Sequence, residues 1–311
     1  MSKESKKISM SVIIAIALVL FVGVFVAVKN INTPATMDNR ISVVTSFYPI
    51  YFLASQLGGD LVNVANLTPA GTEPHDYELT AQDIVKIKKS ELVFLNGGGL
   101  EVWGDDIAKS FKLGKPEIVI LGDALINQEI NSESGTKKDP HIWLSPTFAI
   151  KMAEKIATEL SRIDPQNKSY YESNLSILKT KLINLDSAYE VGLKNCKRKD
   201  FITAHSAFGY LAQTYKLKQV SIAGLSPEEE PSSQQLAEVA KFARENEIKY
   251  IFFESLTSPK LSETIAKEVG AQTLVLNPIE GLSQTEINRG KNYLTEMEKN
   301  LENLKIALEC N

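Results

Sequence analysis

Apolar and polar positions alternate in two different ways along this chain, and the change falls near its middle. ISVVTSFYPIYFLASQLGG, from Ile41, reads as a strand running into a helix, and Val62–Leu67 as a short strand. LTAQDIVKIKKS then has helical spacing at Ile84, Val85 and Ile87, with Thr80 placed to cap its amino end. ELVFLNGGG and EIVIL are short apolar runs of the kind found in buried strands. Strands alternating with helices predict a parallel α/β layer. From Pro146 the period becomes purely helical. SPTFAIKMAEKIATELSRI is amphipathic and stops at Asp164-Pro165. A second helix is predicted from Gln166 to Asn195, with Leu175, Leu178, Leu182, Leu185 and Tyr189 on one stripe. At 1.5 Å per residue it would reach about 45 Å, longer than a small lobe is wide. The strand–helix alternation then resumes through DFITAH, QVSIAGL, YIFFESL and TLVLNPIEGL, and GKNYLTEMEKNLENLKIAL closes the chain as a helix. The expected fold is two α/β lobes with parallel sheets, joined by a long rigid spine helix. The expected organisation is an N-terminal segment and linker over 1–40, a first lobe over 41–160, the spine over 161–197 and a second lobe over 198–311. Gln128–Lys138, largely polar, is expected to be a flexible loop.

One stretch does not belong to this body. Ser11–Val28 is eighteen residues without a charge, preceded by Lys3, Lys6 and Lys7. As a helix it would span about 27 Å, close to a hydrocarbon core, and the lysines place the amino terminus inside. The expectation is a membrane anchor that holds the remainder on the extracytoplasmic face. The alternative is a cleaved signal that leaves a secreted or periplasmic protein. No cysteine stands at the end of the stretch, so a lipid-anchored amino terminus is not expected.

The chain has 311 residues, a net charge of −4 and mixed signs along its length, so nothing predicts a nucleic-acid surface. A monomer is expected. Its two cysteines, Cys196 and Cys310, would form a disulfide in an oxidising compartment or remain unpaired thiols.

Histidine changes the picture most. Only His75, His141 and His205 occur, in EPHDYE, DPHIWLSP and TAHSAFGY. They are too far apart in sequence for a local finger, and each lies where a strand or loop meets a helix. In parallel α/β sheets, ligands gather beyond the carboxyl ends of strands, so the fold can bring the three together in the cleft between lobes. Asp76, Glu78, Asp139, Glu254 and Glu280 are candidates for a fourth donor. Glu280, in the loop NPIEGL after the last strand, is best placed. Glu254 ends the apolar run IFFE and is expected to orient an imidazole from behind. Three imidazoles and one carboxylate suit Zn²⁺ held tetrahedrally, whereas Mn²⁺ favours more oxygen donors. NGGG lacks the GK[ST] of a phosphate loop and is expected to be a tight turn beside the cleft.

TSFYPIYFLASQLGGD, TPAGTEPHDYELTAQD, LVFLNGGGLEVW, DPHIWLSP, TAHSAFGYLA, FFESL and NPIEGL resemble, in order, the blocks of metal-ion substrate-binding proteins of ABC importers, and above all the zinc-uptake branch. The resemblance runs from about Val43 to Lys305. It implies that His75, His141 and His205 bind zinc, with Glu280 as the completing carboxylate, and that the ion passes to a membrane permease paired with an ATPase. In INQEINSESGTKKDP, where many zinc-uptake members are histidine-rich, this chain has no histidine. Asn277 stands where many members have an aspartate. A manganese- or iron-binding member of the family is the alternative within it. From other classes, a zinc-dependent hydrolase or a metal-stabilised adhesin would share the same ligands.

Overall fold

The computed structural model describes residues 40–112, 114–132 and 135–311. The apolar stretch 11–28 lies outside them. Among the described residues no helix is long and apolar enough to cross a membrane.

The first lobe alternates β1 (Ile41–Thr45), α1 (Tyr48–Gly58), β2 (Val62–Asn66), α2 (Ala81–Lys89), β3 (Leu92–Leu95), α3 (Gly104–Ser110) and β4 (Glu117–Ile120). Its four strands are parallel in the order β2-β1-β3-β4, with Val43 beside both Val64 and Leu92. Val43, Val44 and all of Leu92–Leu95 are buried. Runs buried on both faces are what a sheet covered by helices requires. Thr80 caps α2 as the sequence indicates, accepting from the Asp83 amide while Asp83 answers the Thr80 amide.

Gln128–Lys138 departs from expectation. It contains β5 (Glu129–Ser132) and β6 (Gly135–Lys138), paired antiparallel with Glu129 opposite Lys138. A polar composition does not prevent pairing, because the ladder is made by backbone groups. The base of this hairpin is also tied to the second lobe. The Asn127 and Gln128 amides donate to the Tyr210 hydroxyl at 3.0 and 3.1 Å, and the Gln128 side chain donates to Gln213 at 2.6 Å.

Two helices follow, α4 (Pro146–Ile163) and α5 (Lys168–Lys194). The second has 27 residues, about 40 Å of helix. Tyr171, Leu178, Leu182, Leu185, Tyr189 and Leu193 form its buried stripe, and Leu175 is half-buried beside them. Polar bonds fasten it to both halves of the molecule. Asn174 donates to the Leu57 carbonyl of α1 at 2.9 Å, Asp186 accepts from Tyr215 at 2.7 Å, and Tyr189 donates to the Met297 carbonyl at 2.7 Å.

The second lobe contains β7 (Asp200–Thr203), α6 (Gly209–Thr214), β8 (Lys218–Ser221), α7 (Ser233–Glu245), β9 (Tyr250–Phe253), α8 (Lys260–Val269), β10 (Gln272–Val275), α9 (Gln284–Asn288) and α10 (Tyr293–Ala307). Its strands are parallel in the order β10-β9-β7-β8. Trp143, Phe47, Tyr189, Phe208 and Tyr293 belong to one apolar cluster that runs across both lobes. Cys196 and Cys310 are joined, closing a loop of 114 residues and fixing the end of α5 to the last turn of the chain. Cross-links over long loops act mainly on the unfolded ensemble. Replacing Cys310 by serine should therefore lower stability by about 2–4 kcal/mol, read as a lower urea midpoint, while far-ultraviolet dichroism of the folded protein stays the same.

Candidate metal centre

Each histidine is set by a different local device at the carboxyl end of a sheet. His75 lies in the loop after β2, His141 just before the short turn that leads into α4, and His205 two residues beyond β7. Glu280 lies in the loop after β10. The first lobe thus supplies two imidazoles, and the second supplies one imidazole and the carboxylate.

All four meet. His75 Nε2 is 3.3 Å from His141 Nε2, which is 3.4 Å from His205 Nε2. Glu280 Oε1 stands 3.4 Å from His75 Nε2, 3.3 Å from His141 Nε2 and 3.4 Å from His205 Nε2. These are five of the six edges among the four atoms, all of which lie within 4.8 Å of one another; a regular tetrahedron with edges of this length has its centre about 2.05 Å from every corner, the distance that zinc keeps from imidazole nitrogen and carboxylate oxygen. The side chains of His141 and His205 are fully buried, with Glu280 at 1% and His75 at 8% exposure. Glu280 Oε1 accepts no hydrogen bond among the described residues, although burying an unpaired carboxylate oxygen is costly. A cation at the centre of the tetrahedron satisfies it.

Carboxylates behind the rings hold them in place. Asp139 Oδ1 accepts from both the ring Nδ1 of His141, at 2.7 Å, and its backbone amide, at 3.0 Å. Glu254 Oε1 does the same for His205, at 2.6 and 3.2 Å. With Nδ1 engaged as the donor, each ring is left with its Nε2 lone pair directed at the centre. Glu73 accepts from the His75 amide at 3.2 Å. Glu254, expected to orient an imidazole from behind, thus lies against His205 Nδ1. Asp76 and Glu78 are exposed and outside the cluster, and Asp139 is an orienting group, not a ligand. The parts played by Asp139 and Glu73 were missed. Their signal was present as a repeated acid-Pro-His, Glu73-Pro74-His75 and Asp139-Pro140-His141. In both, the acid accepts the amide two residues ahead, across a proline that has no N–H to compete.

Glu280 rests on a tight polar turn. Asn277 Oδ1 accepts from the Ile279 amide at 2.8 Å, and the Asn277 amide donates to Asn300 at 2.8 Å. Ile279 is buried at φ 56°, a costly left-handed conformation for a β-branched residue. Asn277 thus fixes the loop that presents Glu280. Beside His141, Gly97, Gly98 and Gly99 all have positive φ, and Asn96 holds the Pro140 carbonyl at 2.9 Å, so NGGG is the tight turn expected.

Burial pushes every imidazole here towards its neutral form. For His75 burial prevails and the pKa falls. For His141 it is outweighed by the bond to Asp139 and the nearby Glu280 carboxylate, and for His205 by the charges of Glu254 and Glu280, so both are raised. Burial also opposes ionisation of Glu280, but the histidines around it overcome this and hold its pKa well below the usual range. Burial and the Glu280 charge push Glu73 up to about 9. The carboxylates around His141 and His205 thus favour their protonated forms, and those histidines favour the ionised form of Glu280.

A family model described as zinc-uptake complex component A, periplasmic (ZnuA), matches residues 43–307. High-affinity zinc uptake system protein ZnuA of Bacillus subtilis (strain 168) is 39% identical over 296 residues, covering 91% of this chain and 93% of that protein. Zinc-binding lipoprotein AdcA of Streptococcus pneumoniae (strain ATCC BAA-255 / R6) is 40% identical over 279 residues, covering 86% of this chain but 56% of the relative. The chain thus spans about half the length of that protein. The crystal structure of the Zn(II)-bound ZnuA-like domain of Streptococcus pneumoniae AdcA aligns with a TM-score of 0.76 at 40% identity, covering 87% of this chain and 99% of that one.

Metal must displace the protons held by His141 and His205, so binding should weaken as pH falls, starting above the ordinary histidine range. Zinc affinity, measured by chelator competition at pH 8, 7 and 6, is expected to drop about tenfold per unit for each proton displaced. A flat profile would contradict the assignment of these rings as ligands.

Proposed function

We infer the function from one premise: the chain belongs to the family of zinc-uptake complex component A proteins. It is an extracytoplasmic solute-binding protein that captures Zn²⁺ between its lobes and delivers it to an ABC-type importer. The observation that supports this most is the set of four buried donor atoms, His75, His141 and His205 Nε2 with Glu280 Oε1, spaced as the corners of one tetrahedron. Three neutral nitrogens and a single carboxylate favour zinc over manganese or iron. A catalytic zinc keeps a coordination position open for water, and here Glu280 stands at the fourth corner, which favours carriage over hydrolysis.

A solvent cavity of about 610 Å³ reaches His75 from outside, with Lys137 and Glu229 from opposite lobes among its walls. It offers the ion a route that does not require the lobes to separate. The ties made by α5 to both halves support small local movements over a wide hinge. Delivery takes place at a permease driven by a cytoplasmic ATPase.

Residues 11–28 hold the chain at the outer face of the membrane, with Lys3, Lys6 and Lys7 inside. Both cysteines of the chain are joined to each other and lie far along the sequence from this stretch, so the attachment proposed is the apolar peptide. Tethering raises the local concentration at the importer without adding a contact. The disulfide suits an oxidising compartment outside the cytoplasm.

Purified metal-free protein is expected to take up one zinc per chain and to prefer it over Mn²⁺ in direct competition. Replacing His205 by alanine should weaken zinc by orders of magnitude with the fold intact. Replacing Glu280 by alanine should cost less, because water can take the vacated corner. A manganese preference, or an H205A variant that binds zinc like the wild type, would refute this reading.

A further inference from the structure

We infer that Gly209 is a positioning residue for the metal, acting from the second lobe through Asp139 on His141; the inference rests on the zinc-carrier reading. Asp139 is fully buried and lies in the segment leading to α4. Its Oδ1 holds the His141 ring and amide, while its Oδ2 has no hydrogen-bond partner among the described residues. The space beside Oδ2 is kept open by Gly209, the first residue of α6. A methyl group added to Gly209 would stand 2.7 Å from Asp139 Oδ2 and 2.9 Å from Gln128 Oε1, well inside van der Waals contact. The backbone of Gly209 is not in the left-handed region, so space and not φ is what glycine provides there.

The two neighbours differ in how they can respond. Gln128 has a long side chain whose amide can swing away at the cost of its bond to Gln213. Asp139 is short and enclosed, and turning its carboxylate breaks or bends the 2.7 Å bond to His141 Nδ1. That bond fixes which ring nitrogen faces the metal and the direction of its lone pair. Close packing transmits such a displacement instead of absorbing it. The second lobe therefore contributes to the site in two ways: directly through His205 and Glu280, and indirectly through the absence of a side chain at Gly209, which leaves room for the group that aims His141.

The test compares the wild type, Gly209→Ala, Asp139→Ala and the double variant, none of which alters a metal ligand. Zinc affinity is measured by chelator competition. The visible bands of the Co²⁺-loaded proteins report ligand geometry independently of stability. Gly209→Ala is expected to weaken zinc by about tenfold and to shift the Co²⁺ bands. In the Asp139→Ala background, where the obstructed carboxylate is gone, the same change should add less than about twofold, because residues acting through one another are not additive. A Gly209→Ala protein with wild-type affinity and Co²⁺ bands would overturn the inference, as would an undiminished tenfold loss in the Asp139→Ala background. Should Gly209→Ala fail to fold, the comparison of Asp139→Ala with the double variant decides on the same criterion. A wild-type protein that takes up no zinc would instead defeat the carrier reading itself.

Discussion

Three imidazole nitrogens and a carboxylate oxygen, drawn from two separate lobes, all lie within 4.8 Å of one another, with His141 and Glu280 each 3.3 to 3.4 Å from the other three, where water scarcely reaches. Such a cluster is unfavourable unless a positive charge sits inside it, because each donor presents a lone pair to the others. In the metal-free protein, the carboxylates beside His141 and His205 raise their proton affinity, which favours a positive charge there. A divalent ion supplies it better, and from the centre. Binding is thus an exchange of protons for metal within a cage that is already assembled.

The cage exists because the seam between the lobes is fixed by groups that do not touch the ion. Trp143, two residues past His141, donates to the Pro278 carbonyl at 2.7 Å, two residues before Glu280. The Gly71 amide, in the loop that carries His75, donates to the Leu282 carbonyl at 3.0 Å. Both bonds link a ligand-bearing segment of the first lobe to the loop of Glu280, and α5 braces the two lobes from behind. Positional accuracy at the metal is therefore a property of the interface, and a carboxylate set behind a ring is its last adjustment.

Much of this was legible in the sequence, for identifiable reasons. Buried parallel strands leave continuous apolar runs, as in Leu92–Leu95, and long helices leave a stripe, as in Leu178 to Tyr189. Three histidines, all at strand or loop ends, pointed to a shared site because the chain has no others. The hairpin at Glu129–Lys138 was not legible, since polar strands held by backbone bonds leave no hydrophobic period. The pairing of Asp139 with His141 was overlooked because Asp139 was weighed as a ligand, although a carboxylate two residues before a histidine also reaches its amide. Gly209 could not be read at all: its significance depends on a side chain seventy residues away that only the folded seam brings near.

X-ray absorption spectroscopy of the zinc-loaded protein at neutral pH tests the central claim most directly. The account predicts one zinc with four nitrogen and oxygen neighbours at about 2.0–2.1 Å and outer-shell scattering from three imidazoles. A shell of six oxygen-rich neighbours, a sulfur contribution, or scattering from fewer than three imidazole rings would contradict it.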